Sequence, residues 1–375
     1  MATTKNRLLS LFSHLKSAKD GSAVIKKPII SAPMNGWASP ALVTAVAQAG
    51  GLGLFPVGYF TDASKIVREV AGTVAKLDQA LVENNELSPI GVGFITFWLE
   101  RQGVDVLRGL LDREGQSDRT FKPPAAVWFS FGDYRPYLRW VREHAHPQTR
   151  VIVQVSTVQQ AVDAQNDGVD AVVLQGTEAG GHGAQFVSPL MTLLPEAVDA
   201  MTEGGRLEEP KIPVIAAGGI ATSAQYKAAI SMGASGAVLG TAFMVCQEAG
   251  GPQQAKDILI KSRDGGLSTV RTRVFDDLRE FAWPTGYDGR AVRNAVTDRE
   301  EQEQQQGKYY RGQDYHPNPF RLLKPDLASG TKQDWERANK EQDYTLLPLF
   351  CGTGVGLLNK ANMTAAEMIH HIIRS

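Results

Sequence analysis

Ile212-Pro-Val-Ile-Ala-Ala-Gly-Gly-Ile220 and, one strand-and-helix unit further along, Ala237-Val-Leu-Gly-Thr241 decide the fold. Each is a short apolar run that ends in glycine and opens onto a helix start. Apolar runs of this kind suit strands buried on both faces. Glycine after the strand lets the backbone approach an anion closely, and the free N–H groups at a helix start favour negative charge. Working outward, the same unit recurs. Apolar runs at 28–32, 51–55, 90–94, 125–129, 151–155 and 171–174 precede these two, separated by stretches of helical periodicity such as Ala41, Leu42, Ala45, Val46 and Ala49. The alternation predicts parallel βαβ units, and eight strands close a barrel, although an open doubly wound sheet shares the pattern. The fold class expected is α/β, a (β/α)₈ TIM barrel with a C-terminal helical and loop insertion over its mouth. On that count the two glycine turns follow strands seven and eight, where barrels commonly bind phosphate.

The bulk of the chain agrees with such a fold. Its 375 residues accommodate a barrel of roughly 250 residues plus insertions. A 43% hydrophobic and 21% charged composition is that of a globular enzyme with a large core. A net charge of −1 and the lack of a basic patch interleaved with aromatics argue against nucleic acid as a partner. No apolar run approaches a membrane span. Cys246 and Cys351, the two cysteines, lie far apart, so a disulfide framework or Cys-based zinc site is not expected. Residues 1–27 read as an N-terminal extension: Lys5, Arg7, Lys16 and Lys19 precede any acid, and Leu8, Leu9, Leu11, Phe12 and Leu15 share a helical face. This resembles a weak mitochondrial presequence, but a helix closing the bottom of a barrel is the favoured reading, with a cytoplasmic location. Residues 28–283 then form the barrel and 284–345 a polar helical insertion, a candidate lid, in which Glu300–Gln306 reads as a solvated helix and Gly312–Pro325 as loop. Residues 346–375 form a return segment and helix, with Gly352-Thr-Gly-Val-Gly356 folding back over the mouth.

Chemistry concentrates in Asp170-Ala-Val-Val-Leu-Gln-Gly-Thr-Glu-Ala-Gly-Gly-His-Gly183. Strand six runs into a glycine-rich loop that presents a single imidazole, His182, at the end of the barrel where such enzymes place their chemistry. Imidazole suits proton transfer near neutrality, which makes His182 the candidate catalytic residue. Glu178, four residues earlier, is placed to orient the ring or simply to be solvated. No cluster with metal-ligand spacing surrounds them. Ser31-Ala-Pro-Met-Asn-Gly36 ends strand one with small residues and a soft thioether suited to a flat ring. Gly91-Val-Gly93 leaves room beside it. Gln154 and Gln175 are amides at otherwise apolar strand ends and need partners, from a ligand or a neighbouring loop.

The combination of Ala32-Pro33-Met34, Glu178-Ala179-Gly180-Gly181-His182, Ala217-Gly218-Gly219 and Gly240-Thr241 resembles the nitronate monooxygenase family, once called 2-nitropropane dioxygenases. The resemblance covers residues 28–250 and, more loosely, Gly352–Gly356. It implies an FMN cofactor in a TIM barrel. The isoalloxazine would lie near Ala32, Met34, Gln154 and Gln175, and Pro33, Gly93, Gly180, Gly181 and Ala217 would also take part in holding the cofactor. The phosphate would lie at Gly218, Gly219, Gly240 and Thr241, and His182 would be the base. Gly93 stands where several relatives carry Asn, and Gln154 and Gln175 replace the Lys and Asp of one bacterial branch. The activity implied is oxidation of a nitronate or nitroalkane by O₂ in a monomer or homodimer. NAD(P)H-dependent reduction of quinones or enoyl thioesters and non-catalytic flavin binding are the alternatives.

Overall fold

A computed structural model describes residues 6–60, 62–112, 121–202, 209–305, 335–359 and 362–374. Eight parallel strands form one sheet: β1 (Ile29–Ser31), β2 (Gly53–Pro56), β3 (Ser88–Ile95), β4 (Pro124–Ser130), β5 (Arg150–Val155), β6 (Ala171–Gln175), β8 (Val214–Ala217) and β9 (Gly236–Leu239). The order is β1-β9-β8-β6-β5-β4-β3-β2. An Ile30–Leu52 bridge joins the two ends, with Ser31 N–H donating to Leu52 O at 3.0 Å and Leu52 N–H to Ile29 O at 2.9 Å. The sheet is therefore a closed (β/α)₈ barrel, and the strands fall within a residue or two of their expected positions.

Two apolar layers follow from strand alternation. One set of side chains, among them Ile30, Leu54, Trp128, Ile152, Val173 and Ile215, fills the barrel interior. The other, including Val92, Phe129, Val153, Leu174 and Ala216, packs under the surrounding helices. Leu8, Phe12 and Leu15 of the N-terminal segment join the interior set. That segment meets the strand starts: Arg150 Nε donates to Leu11 O at 3.0 Å, and a Cβ on Gly236 would come within 2.6 Å of the Leu8 side chain. Strand ends and site therefore face the other way.

A second sheet was not foreseen. β7 (Gly181–Ala184), β10 (Thr269–Thr272) and β11 (Tyr287–Val292) pair antiparallel in the order β10-β11-β7. Gly181–Gly183 is thus a strand and not a free loop, with Gly289 opposite His182. The polar segment from 284 likewise begins with strand β11 before its helix, Ala295–Gln305. Glu300 in that helix is buried and accepts from the Thr272 hydroxyl, so this part of the acidic run faces inward. The expected Gly312–Pro325 loop lies outside the described residues. No helix among the described residues is long and apolar enough to cross a membrane.

Candidate active site

The C-terminal ends of the barrel strands surround a cavity of about 400 Å³, a volume in the range of cofactor sites. Ala32, Pro33 and Met34 after β1 line it, as do Gly93 of β3, Gln154 of β5 and Gln175 of β6. So do Gly180, Gly181 and His182, Ala217, Gly218 and Gly219 after β8, and Gly240 and Thr241 after β9. Every site residue expected from sequence borders this one space.

The turn after β8 requires its glycines. Gly218 and Gly219 have φ of +118° and +70°, conformations in which a side chain is strained. Among the described residues, nothing accepts from the backbone N–H groups of Gly219, Gly240 or Thr241. A Cβ on Gly240 would be in ordinary contact with Met34 Sδ at 3.7 Å and Ala32 Cβ at 3.8 Å, both of which also line the cavity. Unpaired donors beside a glycine-lined hollow make an anion cradle. The C-terminal segment braces it: Gly352 N–H donates to Thr241 Oγ1 at 2.9 Å, and Thr353 N–H to Glu178 O at 2.9 Å. Gly354 packs so closely that a Cβ there would lie 2.4 Å from Gly219 O. The expected fold-back over the mouth is this 3₁₀ turn, Thr353–Leu357.

Gly93 works differently from expectation. A Cβ there would meet Pro33 Cβ at 2.4 Å, so the missing side chain admits the Pro33 ring. The two amides find each other: Gln154 Nε2 donates to Gln175 Oε1 at 3.1 Å, and Gln175 Nε2 donates to His182 O at 3.0 Å. This chain ties β5, β6 and β7 together and fixes which way each amide points. Trp128 also lines the cavity, and its buried indole N–H has no partner among the described residues.

His182 sits in an aromatic and charged setting that the sequence did not reveal. Its side chain is 9% exposed, with Nε2 2.8 Å from Asp276 Oδ2. Trp283 stacks on it, centroids 3.7 Å apart and planes at 4°, and Phe350 approaches at 5.2 Å. Asp276 also receives Arg279 Nη2 at 2.6 Å. Burial pushes the His182 imidazole below its ordinary pKa; Asp276 opposes the shift and Arg279 adds to it. That direction favours the neutral ring, the form that can accept a proton. Glu178 does not orient it: its carboxylate accepts from Leu190 N–H, at 2.9 and 3.0 Å, at the start of the Leu190–Ala200 helix. Tyr59, Phe131, Arg279, Trp283 and Phe350 complete the wall. Arg279 is the sole Lys or Arg among the described lining residues. Phe131 is held at φ +61°, a strained conformation for a bulky residue. Asp276 comes from the short helix Val274–Leu278, and neither glycine context nor periodicity marks it in the sequence.

Closed barrel, C-terminal-face cavity and buried imidazole together define a TIM-barrel enzyme with its site in the usual place for that fold. A model of the nitronate monooxygenase family matches residues 16–375. A nitronate monooxygenase of Neurospora crassa is 33% identical over 290 residues, spanning 72% of this chain and 74% of that protein. Nitronate monooxygenase npaC of Metarhizium robertsii is 35% identical over 280 residues, spanning 71% and 72%. Among solved structures, a nitroalkane oxidase from Streptomyces ansochromogenes aligns with a TM-score of 0.63 and 26% identity over 93% of this chain and 95% of that one. FabK from Thermotoga maritima gives 0.71 at 23% identity over 99% and 96%, a likeness of fold alone. The chain belongs to the nitronate monooxygenase family and is a flavin-dependent oxidoreductase.

Proposed function

We propose that the chain binds FMN in this cavity and oxidises alkyl nitronates with O₂ to carbonyl compounds and nitrite, including nitronates that His182 forms from neutral nitroalkanes. The observation that carries the reading is one cavity bordered both by backbone N–H groups unpaired among the described residues and by a buried imidazole held on a carboxylate. Residues and cofactor fit. Left-handed Gly218 and Gly219, with the open N–H groups of Gly219, Gly240 and Thr241, suit a phosphate monoester. Ala32, Pro33, Met34, Gly93, Gln154, Gln175, Gly180, Gly181 and Ala217 would hold the flat ring between small, apolar and amide surfaces. When bound, the flavin supplies redox chemistry that no side chain here can perform.

The chain's own residues do the rest. His182 takes the proton from the carbon bearing the nitro group, and the released electron pair delocalises onto the nitro oxygens. Trp283 covers one face of the ring and keeps water from it. Arg279, its charge shared with Asp276, is the guanidinium of the described wall that an anionic nitronate would meet. The test is anaerobic mixing of the purified flavoprotein with a preformed nitronate, a neutral nitroalkane or NADPH, followed at the flavin band. Bleaching by the nitronate and slower bleaching by the nitroalkane are expected. In His182→Asn the nitroalkane rate should fall by about 10²–10⁴-fold at equal flavin content. Bleaching by NADPH alone would overturn the reading.

A further inference from the structure

We infer that Asp276 is a positioning residue that fixes His182 as the Nε2–H tautomer, leaving Nδ1 as the atom that takes the substrate proton. The inference rests on the proposed function and deepens it. Asp276 Oδ2 lies 2.8 Å from Nε2, and the other oxygen of the same carboxylate receives Arg279 Nη2 at 2.6 Å. A carboxylate paired with a guanidinium accepts, so Nε2 donates and carries the hydrogen. Nδ1 has no partner among the described residues, yet it is not one of their sealed, unpartnered atoms, so its lone pair opens on the cavity that His182 lines.

Burial sharpens the effect. Asp276 is 2% exposed, so its pairing with His182 acts with little solvent screening. Trp283 stacked on one face and β7 paired to β11 leave the ring little freedom to flip. When the proton leaves the substrate carbon for Nδ1, the electron pair remains on the nitronate. The resulting imidazolium then faces Asp276 across a charge-assisted hydrogen bond. The charged and titratable groups around the ring are Asp276 and Arg279 from the Val274–Leu278 helix and its cap, Asp288 from β11, itself paired with Arg271, and Tyr59 from the loop after β2. Of these, Asp276 alone hydrogen-bonds the imidazole.

Asp276→Asn tests the role, because the amide keeps the shape while removing the charge and the preference for an N–H donor. The readout is the ratio of kcat/KM for a neutral nitroalkane to that for its preformed nitronate, which needs no proton removal. The ratio should fall by about 10²-fold or more, on the pattern of carboxylate–histidine pairs elsewhere. The acid limb of the nitroalkane profile should also move to lower pH, because the group that raises the imidazole pKa is gone. Asp276→Glu should restore part of the ratio. A merely structural role would lower both rates together and leave the limb in place, and that result would overturn the inference. Should the variant fail to fold, ¹⁵N NMR of wild-type His182 decides: a proton on Nε2 supports the assignment and a proton on Nδ1 refutes it. Failure of wild type to oxidise either substrate would instead count against the proposed function itself.

Discussion

The barrel and the three-stranded sheet above it are built on opposite principles. In the barrel, almost every strand pairs with a strand one βα unit away, and each is a short, mostly apolar run buried on both faces. In the sheet, Thr269–Thr272 and Tyr287–Val292 are near neighbours in the chain, but Gly181–Ala184 joins them from a distant part of it, and all three are rich in glycine, threonine or arginine. Hydrophobic burial holds the first. The second depends on register, on the Arg271–Asp288 pair, and on Arg290, which donates to Thr177 O at 3.1 Å. The difference has a functional side. The barrel supplies the cofactor cradle, and the sheet with its connecting helix supplies the imidazole and its carboxylate.

Two substitutions would break or sharpen that contrast. Leu174→Ala removes a fully buried side chain from the layer beneath the helices and should destabilise the protein by about 2–5 kcal/mol. Its kcat/KM should remain that of the wild type below the unfolding transition. A denaturant titration run beside a nitronate assay checks both; lost activity in the folded variant would show that barrel packing and site geometry are not separable. Gly354→Ala acts the other way. Its new Cβ would press on Gly219 O, so the stability cost is smaller, about 1–3 kcal/mol, while the cradle itself is displaced. Equilibrium dialysis should find FMN held roughly tenfold more weakly, the equivalent of 1.4 kcal/mol. Unchanged affinity would mean that the C-terminal turn does not brace the phosphate end.

The same contrast explains what the sequence could and could not reveal. Strand positions were readable because burial on both faces writes a run of apolar residues into each strand, and the run needs no knowledge of the partner. The glycine pair after β8 was readable because a left-handed φ demands glycine. His182 stood out for a local reason, its place between Gly181 and Gly183. Asp276 left no such mark: it lies 94 residues from its partner, beside Asp277 in a stretch that looks like charged surface. Trp283 and Phe350 were hidden in the same way, and Glu178 drew attention by proximity in sequence while its carboxylate caps a helix. The β7–β11 pairing escaped notice because its strands lack alternating apolar residues, so nothing in either distinguishes strand from loop.

The grip of backbone amides after β8 and β9 on a phosphate is the claim beneath the rest, and titration of the flavin-free protein with FMN and with riboflavin, followed by fluorescence quenching, tests it most directly. FMN should bind at least about 100-fold more tightly than riboflavin, the phosphate contributing several charge-assisted hydrogen bonds. Equal affinity for the two would contradict it.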